Sequence, residues 1–185
     1  MAELMGKRIL TIVSNRGVEQ DELVGPAGAL RAAGADVTIC APSTAPVETL
    51  VHDWDRGTTV SVDAKLAEVS ADDYDLLLIP GGTLNADALR LDPNAQAIAT
   101  QFASSGRPIA AICHGPWLLV ETGLVRGKQL TSYASLRTDV TNAGGTWHDS
   151  ELVRCDHEGF VLFTSRGPQD LDAFTEGIQG ELGRS

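Results

Sequence analysis

The chain has 185 residues, 43% of them hydrophobic, and a formal net charge of −11 at pH 7. This length predicts a single domain over 1–185, with a flexible start at 1–6. No apolar run approaches the roughly 20 residues of a membrane span, and the first ten residues lack a signal pattern, so we expect a cytoplasmic protein without a membrane partner. The acidic balance argues against nucleic acid as the main partner, because phosphate binding needs a basic surface.

Apolar runs predict β-strands, and the amphipathic stretches between them predict helices. In chain order, the predicted strands are residues 8–13, 36–41, 75–80, 108–113, 129–133, 151–155 and 160–165. The predicted helices have apolar stripes at residues 23–30, 95–102, 117–120, 136–143 and 171–182. Residues 43–63 are irregular and predict a short hairpin whose turn is 54–57. Continuously apolar strands that alternate with helices indicate an α/β fold, a flavodoxin-like sandwich with a mainly parallel sheet and helices on both faces.

Chemically distinctive residues follow three of the predicted strands. The first strand leads into "SNRGVEQDE", another into "PGG" and another into "CHGP". In open parallel sheets, ligands bind beyond the carboxyl ends of the strands. We therefore expect these three segments to converge if their strands are neighbours.

The surroundings of Cys113 predict a nucleophile at a sharp strand-to-helix turn. Such an elbow needs small residues two positions away on each side, and these are Ala111 and Gly115. Pro116 suits the first turn of the following helix. The N-terminus of that helix is expected to favour a thiolate and to lower the pKa of Cys113.

The remaining cysteines and the histidines carry no comparable pattern. Cys40 and Cys155 are interpreted as buried, inert thiols, and three sparse cysteines do not predict a disulfide framework. The four histidines lack paired metal-ligand spacing, so nothing supports a metal or another cofactor.

Several segments besides the elbow resemble a known family, in family order from about Lys7 to Phe174. These segments are "VEQDELVGP", "DYDLLLIPGG", "AICHGPWLL", "VRGKQLTSY", "DVTNAGG" and "TSRGPQDLDAF". The chain therefore resembles the ThiJ/PfpI superfamily, specifically its PfpI branch. The resemblance implies a flavodoxin-like sandwich, a homodimer or higher homo-oligomer, and a reactive cysteine in a small, shallow pocket.

The resemblance also assigns partners to the sulfur of Cys113. It implies that the Glu22 carboxyl contacts the sulfur, where burial would keep it protonated as a hydrogen-bond donor; the alternative is an ordinary glutamate at a helix start. Glu19 resembles a second acidic position that orients a base or lines the pocket, or it is a solvated loop acid. Members of the family often carry an acidic residue at the position of Arg16. An arginine there would change the charge of the pocket.

The resemblance offers His114 as the catalytic base, with an acid from a neighbouring subunit. Adjacent side chains usually diverge, so the alternative is that His114 packs near an interface and contributes its backbone N–H. The backbone of Gly81 and Gly82 can approach a substrate closely and supply an oxyanion donor, or it forms a simple turn. Tyr133 resembles a pocket tyrosine, or is a buried residue at the end of a strand.

Two functional hypotheses follow from this set. The first is a cysteine-dependent hydrolase of the stress response that acts on peptides or on glyoxal-modified proteins and small molecules, as a peptidase, deglycase or glyoxalase. The second is a non-catalytic redox sensor or chaperone in which Cys113 is oxidised to sulfenic or sulfinic acid. A glutamine amidotransferase is disfavoured, because the expected distal His-x-Glu pair is not evident.

Overall fold

The computed structural model describes residues 3–184. Leu4 is fully buried, and its N–H donates to the carbonyl of Ala33 at 2.7 Å. Within the segment 1–6, for which flexibility is expected, Leu4 packs against the core, and Met1 and Ala2 lie outside the described residues.

Strands and helices alternate along the described chain. The strands are β1 (Arg8–Ile12), β2 (Arg16–Glu19), β3 (Asp36–Ala41), β4 (Val47–Val51), β5 (Asp55–Val60), β6 (Ala64–Lys65), β7 (Leu76–Ile79), β8 (Ile109–Ile112), β9 (Gln129–Leu130), β10 (Thr146–Trp147), β11 (Val153–Cys155) and β12 (Leu162–Ser165). The α-helices are α1 (Gln20–Ala32), α2 (Thr83–Arg90), α3 (Pro93–Ser104), α4 (Pro116–Glu121), α5 (Arg137–Asn142) and α6 (Leu171–Leu182).

The central sheet has seven strands in the order β11-β12-β8-β7-β1-β3-β6. Every pairing in it is parallel except that of the edge strand β11, which runs antiparallel to β12. The chain thus moves outward from β1 to β3, returns to β7, and continues through β8 to β12. This order confirms the predicted flavodoxin-like α/β fold.

Side chains at alternate positions of the central strands belong to two hydrophobic cores on opposite faces of the sheet. In β7, Leu77 and Ile79 pack with α2, α3 and α4, whereas Leu76 and Leu78 pack with α1 and α6. All four leucine and isoleucine side chains are fully buried. A strand covered on both faces must be apolar throughout, which explains the uninterrupted run in the sequence.

The structure differs from the sequence-based prediction in three segments around the site. Residues 16–19, taken as a loop, form β2, which joins the predicted hairpin of β4 and β5 in a separate three-stranded sheet. The hairpin turns at 52–54 and not at 54–57. The segment 83–90, which was not predicted to be regular, is the helix α2.

The predicted strand 129–133 is also shorter than expected. Only residues 129–130 are extended, and they pair with β10 outside the central sheet. Within residues 3–184, no helix is long and apolar enough to cross a membrane.

Candidate active site

Three neighbouring strands, β8, β7 and β1, end at the same edge of the central sheet. Cys113 directly follows β8, Gly81 and Gly82 follow β7, and Glu22 lies near the start of α1, beyond β1. A Cβ atom added to Gly81 would lie 2.5 Å from Oε2 of Glu22 and 2.7 Å from Cβ of Cys113. The three segments that the sequence places after separate strands therefore meet around Cys113.

Cys113 occupies a tight turn with a left-handed backbone. Its φ is 60°, which L-residues other than glycine, asparagine and aspartate seldom adopt. Its N–H donates to the carbonyl of Ser165, and the N–H of Gly115 donates to that of Ile112 at 2.9 Å. A Cβ on Gly115 would approach the carbonyl oxygen of Ile79 to 2.5 Å, so a small residue is required there.

The Cys113 thiol is 5% exposed, and its environment disfavours the charged form. Burial is the main cause that raises its pKa, and the neighbouring Glu22 carboxyl raises it further. The backbone N–H groups of Gly82 and His114 act in the opposite direction. The expected lowering of the pKa by the following helix is thus outweighed by burial, and α4 is only six residues long. Burial therefore favours the neutral thiol at Cys113.

Glu22 is fully buried and lies against Cys113. Its Oε2 accepts the N–H of Gly81 at 2.8 Å. Burial raises the pKa of Glu22 to about 8, although the hydrogen bonds from Gly81 and Cys113 oppose the shift. The carboxyl is therefore protonated at neutral pH and can donate a hydrogen bond to a thiolate.

His114 turns its ring toward the sulfur as well as its backbone. Its Nδ1 lies 3.2 Å from Sγ of Cys113. Burial lowers the pKa of His114, against the opposing charge of Asp53, so the ring is neutral and can accept the thiol proton. The left-handed backbone of Cys113 makes this adjacency usable, because the two side chains do not diverge as they would in a strand.

Aromatic side chains hold the His114 ring. Tyr133 stacks on it with ring centroids 4.6 Å apart, and Trp117 meets it edge-on at 5.2 Å. Tyr133 is 49% exposed, so it is neither a buried residue at the end of a strand nor hidden from a ligand. It lines the open side of the site.

The backbone at Gly81 and Gly82 has little room for side chains. Gly82 has φ 86° and abuts the backbone of Gly17 and Glu19. Its N–H faces the sulfur of Cys113. A Cβ atom on Gly81 would displace Glu22 and Cys113, and one on Gly82 would collide with the backbone of residues 17–19, so glycine is needed at both positions.

Glu19 and Arg16 lie farther from the sulfur. Glu19 is buried, and its two carboxylate oxygens accept the N–H groups of His52 and Asp53, each at 3.0 Å. It is therefore neither a solvated loop acid nor a wall of the pocket. Arg16 is exposed and faces Glu48 at 3.7 Å, so the structure does not bring it to the sulfur.

Two side chains near His114 were missed by the sequence-based reasoning. Oγ1 of Thr83, the first residue of α2, lies 3.4 Å from Nε2 of His114. Asp53 accepts from the hydroxyl of Thr83 at 2.9 Å and from its backbone N–H at 2.7 Å. The sequence contains "HD" at 52–53, but no local pattern indicates that Asp53 contacts Thr83, 30 positions along the chain.

Among residues 3–184, no group of three or more His, Cys, Asp or Glu side chains is placed to hold a metal ion.

Comparison with known proteins agrees with the fold. The family model for the DJ-1/PfpI family matches residues 7–180, and the chain belongs to this family. General stress protein 18 of Bacillus subtilis is 36% identical over 170 residues, covering 92% of this chain and 94% of that protein. Protein/nucleic acid deglycase 2 of Escherichia coli is 35% identical, with the same coverage. The crystal structure of Drosophila melanogaster DJ-1beta superimposes with a TM-score of 0.85 at 31% identity, over 98% of this chain and 92% of that one.

Proposed function

We propose that this protein is a cysteine-dependent hydrolase that acts on glyoxal-type adducts of amines and thiols. The observation that carries the proposal is the 3.2 Å separation between Sγ of Cys113 and Nδ1 of His114. A nucleophile and a base within hydrogen-bond reach are the minimum for covalent catalysis by a buried thiol.

The first chemical step uses groups that already surround the sulfur. The thiol proton of Cys113 moves to Nδ1 of His114 as the sulfur attacks the carbonyl carbon of the adduct. The N–H groups of Gly82 and His114 point into this space and stabilise the oxyanion that forms. The protonated Glu22 carboxyl limits negative charge beside the sulfur.

Access to the sulfur favours small substrates. Cys113 is 5% exposed, and the half-exposed Tyr133 flanks the opening. A methylglyoxal or glyoxal adduct presents a short carbonyl segment that can reach a recessed sulfur, whereas a folded peptide backbone needs a wider groove. Peptide hydrolysis is thus the less favoured form of the same chemistry. Relatives are named both as a deglycase and as a putative cysteine protease, so their names agree with either form.

Replacement of the nucleophile tests the proposal. We expect Cys113→Ser to fold normally and to reduce turnover of methylglyoxal adducts on a free amino acid and on a thiol to the uncatalysed rate. Cys155→Ser, at another buried cysteine, is expected to retain wild-type turnover. Retention of turnover by Cys113→Ser would contradict the proposal.

A redox sensor is the second candidate, because a protonated carboxyl beside the sulfur can hydrogen-bond to a sulfinate. The relative from Bacillus subtilis is named a general stress protein, which agrees with either candidate. Two results together would favour the sensor over the hydrolase. The wild-type protein would turn over neither adducts nor an unfolded protein, and mild peroxide would add oxygen to Cys113 before Cys40 and Cys155.

The assembly and location belong to the same proposal. We expect a homodimer or larger homo-oligomer in the cytoplasm, with a small carbonyl adduct or a peptide as substrate and with neither nucleic acid nor a membrane as the main partner.

A further inference from the structure

The Nδ1 atom of His114 can accept a proton only if the ring carries its hydrogen on Nε2. The two nitrogens of a neutral imidazole differ, and the partner of one nitrogen determines the state of the other. The group next to Nε2 therefore determines whether His114 can accept the proton of Cys113. That group is the hydroxyl of Thr83, whose Oγ1 lies 3.4 Å away.

The hydroxyl of Thr83 has a fixed direction. Oδ2 of Asp53 lies 2.9 Å from Oγ1, and a carboxylate can only accept, so the hydroxyl donates its hydrogen to Asp53. The remaining lone pairs of Oγ1 face Nε2 of His114 and can only accept from it. The geometry thus requires N–H at Nε2 and leaves a lone pair at Nδ1, directed at the sulfur.

Asp53 is itself held in an unusual backbone conformation. His52 and Asp53 both have positive φ, at 55° and 60°, in the turn between β4 and β5. The Glu19 carboxylate accepts both of their N–H groups, and this side chain is only 5% exposed. A buried carboxylate therefore stabilises the strained turn that carries Asp53 to the start of α2.

We propose that Asp53, acting through Thr83, is the acid that positions and polarises His114, and that Glu19 fixes this arrangement within a single chain. Asp53 and Thr83 are positioning residues, because they act through His114. When the thiol proton moves to Nδ1, the Nε2 hydrogen stays on the ring and Asp53 keeps its negative charge, which stabilises the imidazolium.

Other charged groups also surround the ring. The Cys113 thiol, the Tyr133 phenol and the Asp53 carboxylate lie nearest the ring. The Glu22 carboxyl lies against Cys113, and the Arg90 guanidinium and the Asp139 carboxylate both contact the edge-on Trp117. Of these, Asp53 is the group connected to Nε2, through Thr83. The inference rests on the proposed cysteine chemistry, so its test must not depend on turnover.

The first experiment measures the reaction of Cys113 with iodoacetamide as a function of pH. We expect Asp53→Asn and Thr83→Val to slow alkylation near neutral pH by about tenfold and to move the midpoint of the pH profile upward, because the imidazolium loses its partner. The double variant is expected to react no more slowly than the slower single variant, since both changes interrupt one relay. Thr83→Ser keeps the hydroxyl and should restore the wild-type profile.

Asp55→Asn is the matched control, because it removes an exposed negative charge two residues along the same hairpin. An effect of Asp55→Asn equal to that of Asp53→Asn would show general electrostatics and overturn the proposal. Wild-type profiles in folded Asp53→Asn and Thr83→Val would overturn it too. Alkylation needs no substrate, so a positive result stands even if no adduct is turned over.

The second experiment uses the unaltered protein and so does not depend on the folding of a variant. The ¹⁵N chemical shifts of the His114 ring distinguish the two neutral forms. We expect hydrogen on Nε2 in the wild-type protein. Hydrogen on Nδ1 would overturn the proposal, because that ring could not accept the proton of Cys113.

Discussion

At the scale of single residues, the site depends on two buried glutamates, Glu22 and Glu19, that have different roles. Glu22 is buried against the sulfur and is kept neutral, whereas Glu19 is buried but holds a turn through two backbone N–H groups. The sequence offers them only three positions apart in "VEQDE" and gives no local reason to separate them. The separation arises because Glu19 ends β2 and Glu22 lies in the first turn of α1.

The raised pKa of Glu22 predicts a specific dependence of stability on pH. Between the ordinary value of 4.5 and about 8, the folded protein keeps a proton that the unfolded chain has lost. The free energy of unfolding should therefore fall as the pH rises through this window. Glu22→Gln mimics the neutral acid, so its pH dependence should be flatter than that of the wild type, by up to about 1.4 kcal/mol per pH unit.

Urea unfolding of both proteins across this window measures the difference. Glu176→Gln, at an exposed glutamate of α6, is the control and should follow the wild-type curve. Parallel curves for the wild type and Glu22→Gln would show that Glu22 is already charged at neutral pH.

At the scale of elements, α2 links the strand ends that form the site. Its Asn85 is fully buried; Oδ1 accepts the N–H of Ser14 at 2.7 Å, and Nδ2 donates to the carbonyls of Pro80 and Gly81. This side chain thus joins the segment after β1 to the segment after β7. The same helix presents Thr83 to His114, so α2 supports the glycine backbone and also contacts the proposed base.

We expect Asn85→Ala to lower the free energy of unfolding by about 3 kcal/mol, because it leaves a buried N–H and two carbonyls without a partner. The variant should also slow alkylation of Cys113, because the carbonyl of Gly81 loses its hydrogen bond from Asn85. Asp87→Ala, at an exposed position of the same helix, should change the stability by no more than about 0.5 kcal/mol. Chemical denaturation measures both changes, and equal effects at the two positions would contradict a linking role for Asn85.

At the scale of the whole molecule, the charge of −11 limits which adducts can approach. One relative is named for nucleic acids as well as proteins, and a polyphosphate substrate would be repelled by an acidic protein. Repulsion between exposed charges is screened over about 10 Å at 0.1 M salt. We therefore expect the charge to disfavour the approach of duplex DNA and to leave a small neutral adduct unaffected.

This selection predicts opposite responses to salt. Turnover of a methylglyoxal adduct on an uncharged peptide should not change with ionic strength, whereas turnover of the same adduct on duplex DNA should be slower at low salt and rise several-fold as salt is added. Initial rates over a salt series measure the effect. A DNA rate that falls with added salt would instead reveal a basic surface near the site.

Most of the fold was predictable from the sequence, because burial on both faces of a parallel sheet leaves continuous apolar runs such as "DLLLIP". The elbow was predictable too, since a tight turn around Cys113 requires small neighbours, and the family blocks extended the prediction to Glu22. The helix α2 was missed because it is only eight residues long and directly follows a glycine pair. The hairpin turn was misplaced because His52 and Asp53 adopt positive φ with help from Glu19, a residue distant in sequence.

The sequence by itself thus determined most of the order of strands and helices, the acidic net charge and the candidate nucleophile, because these follow from local composition and spacing. The tertiary structure decided the protonation of the site and the partner of the base. A pKa depends on burial and on the charges packed around a group, and Glu22, His114 and Cys113 acquire theirs only when three strand ends meet. The path from His114 through Thr83 to Asp53 likewise joins three separate segments, and no spacing along the chain encodes it.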